Sequence, residues 1–329
     1  MDKALMTDLF SLPADKAWER IFAQLWQIFS EPVRVDVADA ITTDRDRTTA
    51  DLDNLLSGSA WELWQQFEAT APRTSQSLRN YWNERTSGKA VLILDALSLR
   101  ESPWLLEQAQ QRGYTIHQAR ATASEIPGDT TPFAKALGFS QRSSLEHNSG
   151  KSADFPAAWT ETTDLPFADC ADLIKADPNI IFWHHWPDVK MHDLADDGNG
   201  YRTLAKEAAG KLTSDDFWQL IDRLTTGRRL VITADHGYAH SGLFPDVVQK
   251  DQVSFLKGHF KSGRAAQNGN ETEQHYWVPP LTQILNTEHG CWNLVLGRKK
   301  WKSQGGYPTL THGGLSLLEV AVPFIELSK

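Results

Sequence analysis

The sequence predicts an α/β fold: a mostly parallel central sheet with helices on both faces, preceded by a small helical region. From residue 90 onward, short apolar runs alternate with helical patterns, as in parallel strands joined by helices. Residues 1–86 instead carry apolar side chains at helical spacing. The 329 residues, 40% apolar and 23% charged, suit an ordinary globular protein of about two domains. We therefore expect a helical region over 1–86 and an α/β domain over 87–329.

The elements follow from periodicity and turn signals. Helices are predicted at 17–26, at 61–67 and around Leu78, Tyr81 and Trp82, with the polar stretch 42–51 between them as a loop. Apolar runs predict strands at 91–94, 114–117, 180–183, 230–233, 292–296 and 320–325. Helical patterns between them cover 103–112, 131–138, 201–210 and 214–225. The polar stretch 261–275 predicts a long loop.

Composition excludes several classes of function. The formal net charge is −9, which argues against tight, non-specific binding along duplex DNA. The two cysteines, Cys170 and Cys291, form no CxxC pair, so we expect neither a disulfide framework nor a cysteine zinc site, and a reducing compartment fits. The N-terminus lacks a signal-peptide pattern, and no apolar run approaches the roughly 18 residues that span a bilayer. We expect a cytoplasmic protein without a membrane segment.

Aspartates and histidines follow the predicted strands, at the sheet edge where α/β proteins bind ligands. They are Asp95, Asp188, His192, Asp235, His236 and His312. Three aspartates and three histidines at one edge match the ligand set of a two-metal centre. Each piece has a simpler alternative: Asp95 could cap a helix, and Asp188 with His192 could be an ordinary surface pair. Gly237 and Gly313 follow two of these histidines and permit the backbone to turn.

Three segments carry a family resemblance: Val-Leu-Ile-Leu-Asp-Ala-Leu at 91–97, Thr-Ala-Asp-His-Gly at 233–237, and the segment 311–324 with its His-Gly-Gly, Leu-Ser, Glu-Val and Val-Pro pairs. Over about residues 90–327 the chain resembles the alkaline phosphatase superfamily and, within it, the PglZ domain. The resemblance implies that Asp188, His192 and His312 hold one cation, and that Asp95, Asp235 and His236 hold the other. PglZ sequences often continue the first aspartate as Asp-Ala-Leu-Arg-Tyr. Here the Arg-Tyr pair that would follow Leu97 is absent, and Arg100 is a candidate replacement for it.

The resemblance also implies a serine or threonine nucleophile at a helix start, some tens of residues after the first aspartate. Thr130 is the first candidate, because it lies in a Pro-x-x-Thr pattern just before Pro132, which suits the first turn of a helix. Thr131 and Ser124 are the second and third candidates. Alternatively, these hydroxyls only cap the helix.

Other basic residues and histidines are candidates for weaker roles. His240, Lys257 and His259 are candidate substrate contacts. The basic clusters 257–261 and 298–302, interleaved with aromatic residues, could grip nucleotides or could be solvated faces. His184 and His185 either pack at a strand end, support the site or contact the substrate.

Ligand set and resemblance together predict a metal-dependent phosphoric-ester hydrolase, foremost a phosphodiesterase acting on nucleotides or oligonucleotides in phage defence. Histidine-plus-carboxylate ligation favours two zinc ions, with Mn²⁺ as a substitute. One alternative is a metal-stabilised interaction module of a defence or signalling complex, with the N-terminal region contacting partner proteins. Another is a phosphomonoesterase or sulfatase-like hydrolase.

Overall fold

A computed structural model describes residues 3–84, 88–244, 246–261, 263–267, 277–303 and 309–329. The N-terminal region is helical, as predicted. Its helices are α1 (Lys3–Ser11), α2 (Ala14–Phe29), α3 (Ala38–Ser59), α4 (Trp61–Gln65), α5 (Phe67–Thr70) and α6 (Thr74–Glu84). On α2, the residues Trp18, Ile21, Leu25 and Phe29 are buried at helical spacing, which explains why this helix was predictable.

The predicted loop at 42–51 is wrong, because these residues lie inside α3. Thr42, Asp46 and Thr49 are only 1%, 0% and 1% exposed. The hydroxyls of Thr42 and Thr49 donate to the backbone carbonyls of Ala38 and Asp46, at 2.7 and 2.8 Å. Polar residues that are buried with partners do not produce the apolar stripe by which a helix is detected.

The strands and the remaining helices alternate along the chain. The strands are β1 (Lys89–Leu94), β2 (Thr115–Ala123), β3 (Trp159–Thr163), β4 (Asn179–His184), β5 (Arg229–Thr233), β6 (Ala239–His240), β7 (Ala265–Gln267), β8 (Thr282–Thr287), β9 (Gly290–Val295), β10 (Leu310–Thr311) and β11 (Ala321–Ser328). The helices are α7 (Ser102–Gln111), α8 (Thr130–Ala136), α9 (Phe167–Leu173), α10 (Asp188–Asp193), α11 (Gly200–Leu212), α12 (Asp215–Thr225), α13 (Lys250–Phe260) and α14 (Leu317–Val320).

The central sheet has six strands in the order β2-β11-β5-β1-β4-β3. β1, β3, β4 and β5 are parallel, whereas β11 runs antiparallel to both of its neighbours, so the sheet is mostly parallel as predicted. The sequence missed β3, whose Trp-Thr-Glu-Thr-Thr run is not apolar. The strand predicted at 292–296 exists as β9, but in a separate sheet of the order β7-β9-β8. β7 also begins within the predicted loop 261–275, of which residues 262 and 268–275 lie outside the described residues.

Helices cover both faces of the central sheet. Alternate residues of β1 point to opposite sides. Leu92 belongs to a core cluster with Leu105 of α7 and Leu220 of α12. Ile93 belongs to another with Leu78 of α6 and Phe133 of α8. The strand is therefore buried on both sides, which is why it is a continuous apolar run.

The N-terminal helices pack against the rest of the chain. Trp18 and Phe22 share a core cluster with Leu294 and Leu317, and the Trp104 indole donates to the Val33 carbonyl at 2.9 Å. The predicted boundary at 86/87 falls outside the described residues and stays a prediction. Among the described helices, none combines the length and apolar character needed to cross a bilayer.

Candidate metal centre

The parallel strands bring the candidate ligands to one edge of the sheet. Ile93 of β1 pairs with Trp183 on β4 and with Thr233 on β5, so the three strands end at the same level. Asp95 and Asp235 follow β1 and β5 closely. The Asp188 backbone N–H, at the start of α10, donates to the Asp95 carbonyl at 3.0 Å. Backbone pairing thus fixes the separation of residues far apart in sequence.

The first cluster consists of Asp95, Asp235 and His236, all 0% exposed. Asp95 Oδ1 and Asp235 Oδ2 each lie 3.5 Å from His236 Nε2. The other oxygen of Asp235 accepts from the Ala96 N–H at 3.0 Å, and His236 Nδ1 lies 2.9 Å from the Gly237 carbonyl. These bonds fix both side chains so that Nε2 and one carboxylate oxygen face the cluster.

The second cluster consists of Asp188, His192 and His312. The Nε2 atoms of His192 and His312 are 3.2 Å apart. Asp188 Oδ1 lies 3.4 Å from the former and 3.8 Å from the latter. α10 places Asp188 and His192 on one helix face. The His312 and His236 rings stack with centroids 4.2 Å apart, which joins the two clusters.

Both clusters fit divalent cations. Tetrahedral ligands bound at 2.0–2.1 Å are about 3.3–3.4 Å apart, close to the separations of 3.2–3.8 Å within the two clusters. Within the described residues, several atoms that face the clusters are buried without a hydrogen-bond partner: Asp95 Oδ1, Asp188 Oδ1, Asp235 Oδ2 and His236 Nε2. Such atoms are costly unless something binds them. A pair of cations would satisfy all of them.

The charges at this edge are unbalanced. Burial, then the neighbouring charges of Asp235 and Asp188, raise the pKa of Asp95 well above its ordinary value. Burial alone would lower the pKa of His236, but Asp235, Asp95 and Asp188 raise it to about 9. Burial alone would raise the pKa of Asp188, but the contact with His192 and the charges of His236, His312 and His192 lower it to about 2. The surrounding carboxylates that favour positive charge on His236 would equally favour a bound cation at this position.

Among the three nucleophile candidates, Thr130 forms a hydrogen bond to a cluster residue. Its hydroxyl donates to Asp95 Oδ2 at 3.4 Å. The Ser124 hydroxyl is buried and donates to the Glu125 carbonyl at 3.1 Å. Asp129 is the N-cap of α8, since its side chain accepts from the Thr131 N–H. Neither threonine is thus needed as the cap.

Arg142 also reaches this edge, and sequence reasoning missed it. It begins the 3-10 segment Arg142–Asn148, and its guanidinium donates to Asp95 Oδ2. No motif surrounds it. Only the return of the chain from α8 toward the sheet edge places it there.

A cavity of about 370 Å³ opens beside the second cluster. His192 and His312 line it together with Asp129, Asp196 and Arg264. The Arg264 guanidinium is 1% exposed and paired with Glu319 at 2.7 Å. The cavity is large enough for an organic group attached to a phosphate.

Several other candidates are engaged elsewhere. Arg100 and Arg298 are buried and ion-paired with Asp46 of α3, and His240 Nδ1 lies 3.0 Å from the same carboxylate. We call these four residues the Asp46 network. Arg298 also pairs with Asp53 at 2.9 Å. Arg100 is therefore unavailable as a substitute for the Arg-Tyr pair, and Arg298 is unavailable to a nucleotide.

Lys257, His259, His240 and His184 belong to neither cluster. Lys257 and His259 are exposed on α13, and His240 stacks on Tyr201 with ring centroids 4.0 Å apart. Their roles as substrate contacts stay predictions. His184 accepts from the Trp186 N–H at 3.0 Å and is 4% exposed, so the packing alternative is confirmed for it.

Glu319 organises the segment that carries His312. Its carboxylate accepts from the Gly314 N–H at 2.8 Å, from the Ser316 hydroxyl at 2.6 Å and from Arg264. Its backbone carbonyl accepts from the Gly237 N–H at 2.9 Å. A Cβ at Gly237 would lie 2.2 Å from the Leu318 carbonyl, so this glycine is required by close packing rather than by a turn.

Comparison with known proteins agrees with the class that this geometry defines, an alkaline phosphatase-like domain. The family model described as the BREX system PglZ alkaline phosphatase-like domain matches residues 153–327, more than half of the chain. The chain belongs to the PglZ family and has a phosphoric-ester hydrolase-like fold. The match includes all three residues of the second cluster. From the first cluster it includes Asp235 and His236. It does not include Asp95, Thr130 or Arg142.

Two solved structures of murine ectonucleotide pyrophosphatase/phosphodiesterase 5 are similar to this chain. An inactive variant in complex with AMP is 13% identical, with a TM-score of 0.48. The other is 15% identical, with a TM-score of 0.47. In both, 73% of this chain and 87% of the other are covered. None of the curated protein sequences compared with this chain matches it.

Proposed function

We propose that this protein is a cytoplasmic, metal-dependent phosphodiesterase that acts on nucleotides or oligonucleotides, with Thr130 as its nucleophile and two divalent cations, zinc foremost. One observation carries the proposal: cluster-facing atoms of Asp95, Asp188, Asp235 and His236 are buried without hydrogen-bond partners, beside the Thr130 hydroxyl. Membership of the PglZ family supports a place in phage defence. Partner proteins of the N-terminal region stay a prediction.

The chain's own residues define the reaction. When bound, the cations would make the Thr130 hydroxyl more acidic and polarise the phosphoryl group. Thr130 Oγ1 then bonds to phosphorus while the bond to the leaving oxygen breaks. The hydroxyl proton passes to solvent, and the leaving oxygen takes up a proton from solvent. Water cleaves the phosphothreonine in the second step, which releases a phosphate monoester and restores the hydroxyl.

The cavity beside His192 and His312 supports a substrate whose phosphate carries an organic group. Its volume of about 370 Å³ lies at the lower end of the range of small-molecule sites. A diester has one such group on each side of phosphorus, and the cavity would hold one of them.

The test begins with metal analysis of the purified protein. Rates on 4-nitrophenyl phosphate and bis(4-nitrophenyl) phosphate then follow, with faster cleavage of the diester expected. Thr130→Ala should abolish turnover and leave the metal content unchanged, since a nucleophile acts on rate and not on ligation. Thr131→Ala is the matched control on the same helix turn and should keep its rate.

Each failure has a distinct meaning. Faster cleavage of the monoester would indicate the phosphomonoesterase alternative. Bound metal without turnover of either ester would indicate the interaction module. A protein that is fully active after cation removal would contradict the proposed centre.

A further inference from the structure

Arg142 links the partly exposed surface to the buried first cluster. Its side chain is 25% exposed, whereas the Asp95 carboxylate that it contacts is 0% exposed. The Thr130 hydroxyl donates to the same oxygen, Asp95 Oδ2. The guanidinium and the proposed nucleophile thus meet at one atom.

Arg142 also differs from the other basic residues in its ion pair. Among the described residues, it is the only lysine or arginine in an ion pair with a cluster residue, since the other pairs of Asp95, Asp188 and Asp235 involve histidines. A cation bound by Asp95 would neutralise that carboxylate and repel the guanidinium. The guanidinium would then need another anion near Thr130.

We propose, on the basis of the proposed function, that Arg142 exchanges partners: it pairs with Asp95 in the cation-free protein and binds the non-bridging phosphoryl oxygens of the substrate in the loaded protein. The guanidinium plane presents parallel N–H groups that match two oxygens of one phosphoryl group. The reacting phosphorus must lie within bonding reach of Thr130 Oγ1, and Arg142 already shares a hydrogen-bond acceptor with that atom. Arg142 is therefore a phosphate-binding residue that also competes with the cation.

The experiment compares Arg142→Gln and Arg142→Lys with wild type. Lys135→Gln removes an exposed positive charge from α8 and is the matched control. Zn²⁺ affinity is measured by chelator competition on EDTA-treated protein. Binding of inorganic phosphate to the zinc-loaded protein is measured by calorimetry. Thermal midpoints of all variants verify that they fold.

Two opposite shifts are expected. Arg142→Gln should bind Zn²⁺ more tightly, because its competitor for Asp95 is gone. It should bind phosphate about tenfold more weakly or worse, since a charge-assisted hydrogen bond is lost. Arg142→Lys should recover part of the phosphate affinity, and Lys135→Gln should match wild type in both.

Unchanged phosphate affinity of zinc-loaded Arg142→Gln would overturn the proposal, as would parallel losses of zinc and phosphate binding, which indicate a structural role. Failure of the proposed function is separate, because it would appear as absent zinc binding or absent turnover in wild type.

Discussion

Asp46 on α3 and Asp95 after β1 are both fully buried aspartates, yet their surroundings are opposite. Asp46 contacts two arginines and a histidine, and although burial would raise its pKa, those charges hold it well below its ordinary value. Asp95 lies among other carboxylates with one partly exposed arginine, and its pKa is well above the ordinary value. Where this chain neutralises buried charge by itself, it supplies arginines. At the sheet edge it supplies too few arginines, and the proposed cations would provide the missing positive charge.

The largest effect is expected at the neutralised site. Asp46→Asn leaves Arg100 and Arg298 buried with their shared charge partner gone, and such a loss typically costs about 3–5 kcal/mol of unfolding free energy. Urea unfolding measures it. Asp44→Asn, an exposed site on the same helix, is the control and should change stability little. Equal stability of the two variants would break the comparison.

A smaller effect of opposite sign is expected at the candidate metal centre. Saturating Zn²⁺ should stabilise EDTA-treated wild type, by about 2.7 kcal/mol at a hundred times the Kd. Asp235→Asn should lose most of this gain. Without cations, it should be no less stable than wild type, because it removes one of several mutually repelling carboxylates. Thermal melts with and without zinc test both statements. A thermal midpoint of wild type that does not change on addition of zinc or manganese would contradict them.

The smallest change in unfolding free energy is expected for His240, the histidine of the Asp46 network. His240→Gln should cost about 1 kcal/mol at about pH 8, since one hydrogen bond to a charged group is lost. Burial lowers the pKa of His240, although Asp46 opposes the shift. As pH falls below about 6.5, the unfolded chain takes up this proton first and the folded state loses stability.

The glutamine variant lacks that titration. The stability difference between wild type and variant should therefore shrink from about pH 8 to about pH 5.5, and urea unfolding at both values measures it. A difference that grows toward low pH would mean that His240 is protonated in the folded protein.

The sequence predicted best what depends on local pattern. The apolar runs of β1, β4 and β5 were detectable because both faces of the sheet are covered, and they indicated which edge would gather the aspartates and histidines. The predicted ligands form the two groups that the structure brings together. Whether they bind metal, and whether Thr130 reacts, stay predictions.

Features that depend on distant partners were not predictable. α3 looked like a loop because Asp46 is compatible with burial only when Arg100 and Arg298 are present, and Arg298 is 252 residues away in the chain. Arg142 had no motif, since its relation to Asp95 is purely spatial. Arg100 was a candidate replacement for the Arg-Tyr pair and instead pairs with Asp46, because an arginine near a motif need not face the site.

The bonds of Glu319 have a consequence for how members of this family are recognised. Ser316 and Glu319, which belong to the most distinctive segment of the sequence, bond to each other, to Gly314 and to Arg264, and they shape the backbone that carries His312. Ser316 and Glu319 thus stabilise the local backbone, whereas Asp95 and Thr130 lie upstream of residues 153–327, which the family model matches. A relative that kept Ser316 and Glu319 but lost Thr130 would still match the family while lacking the proposed nucleophile. Assignment to the family and assignment of catalytic activity therefore depend on different residues. The second requires inspection of the residues after β1 and at the start of α8.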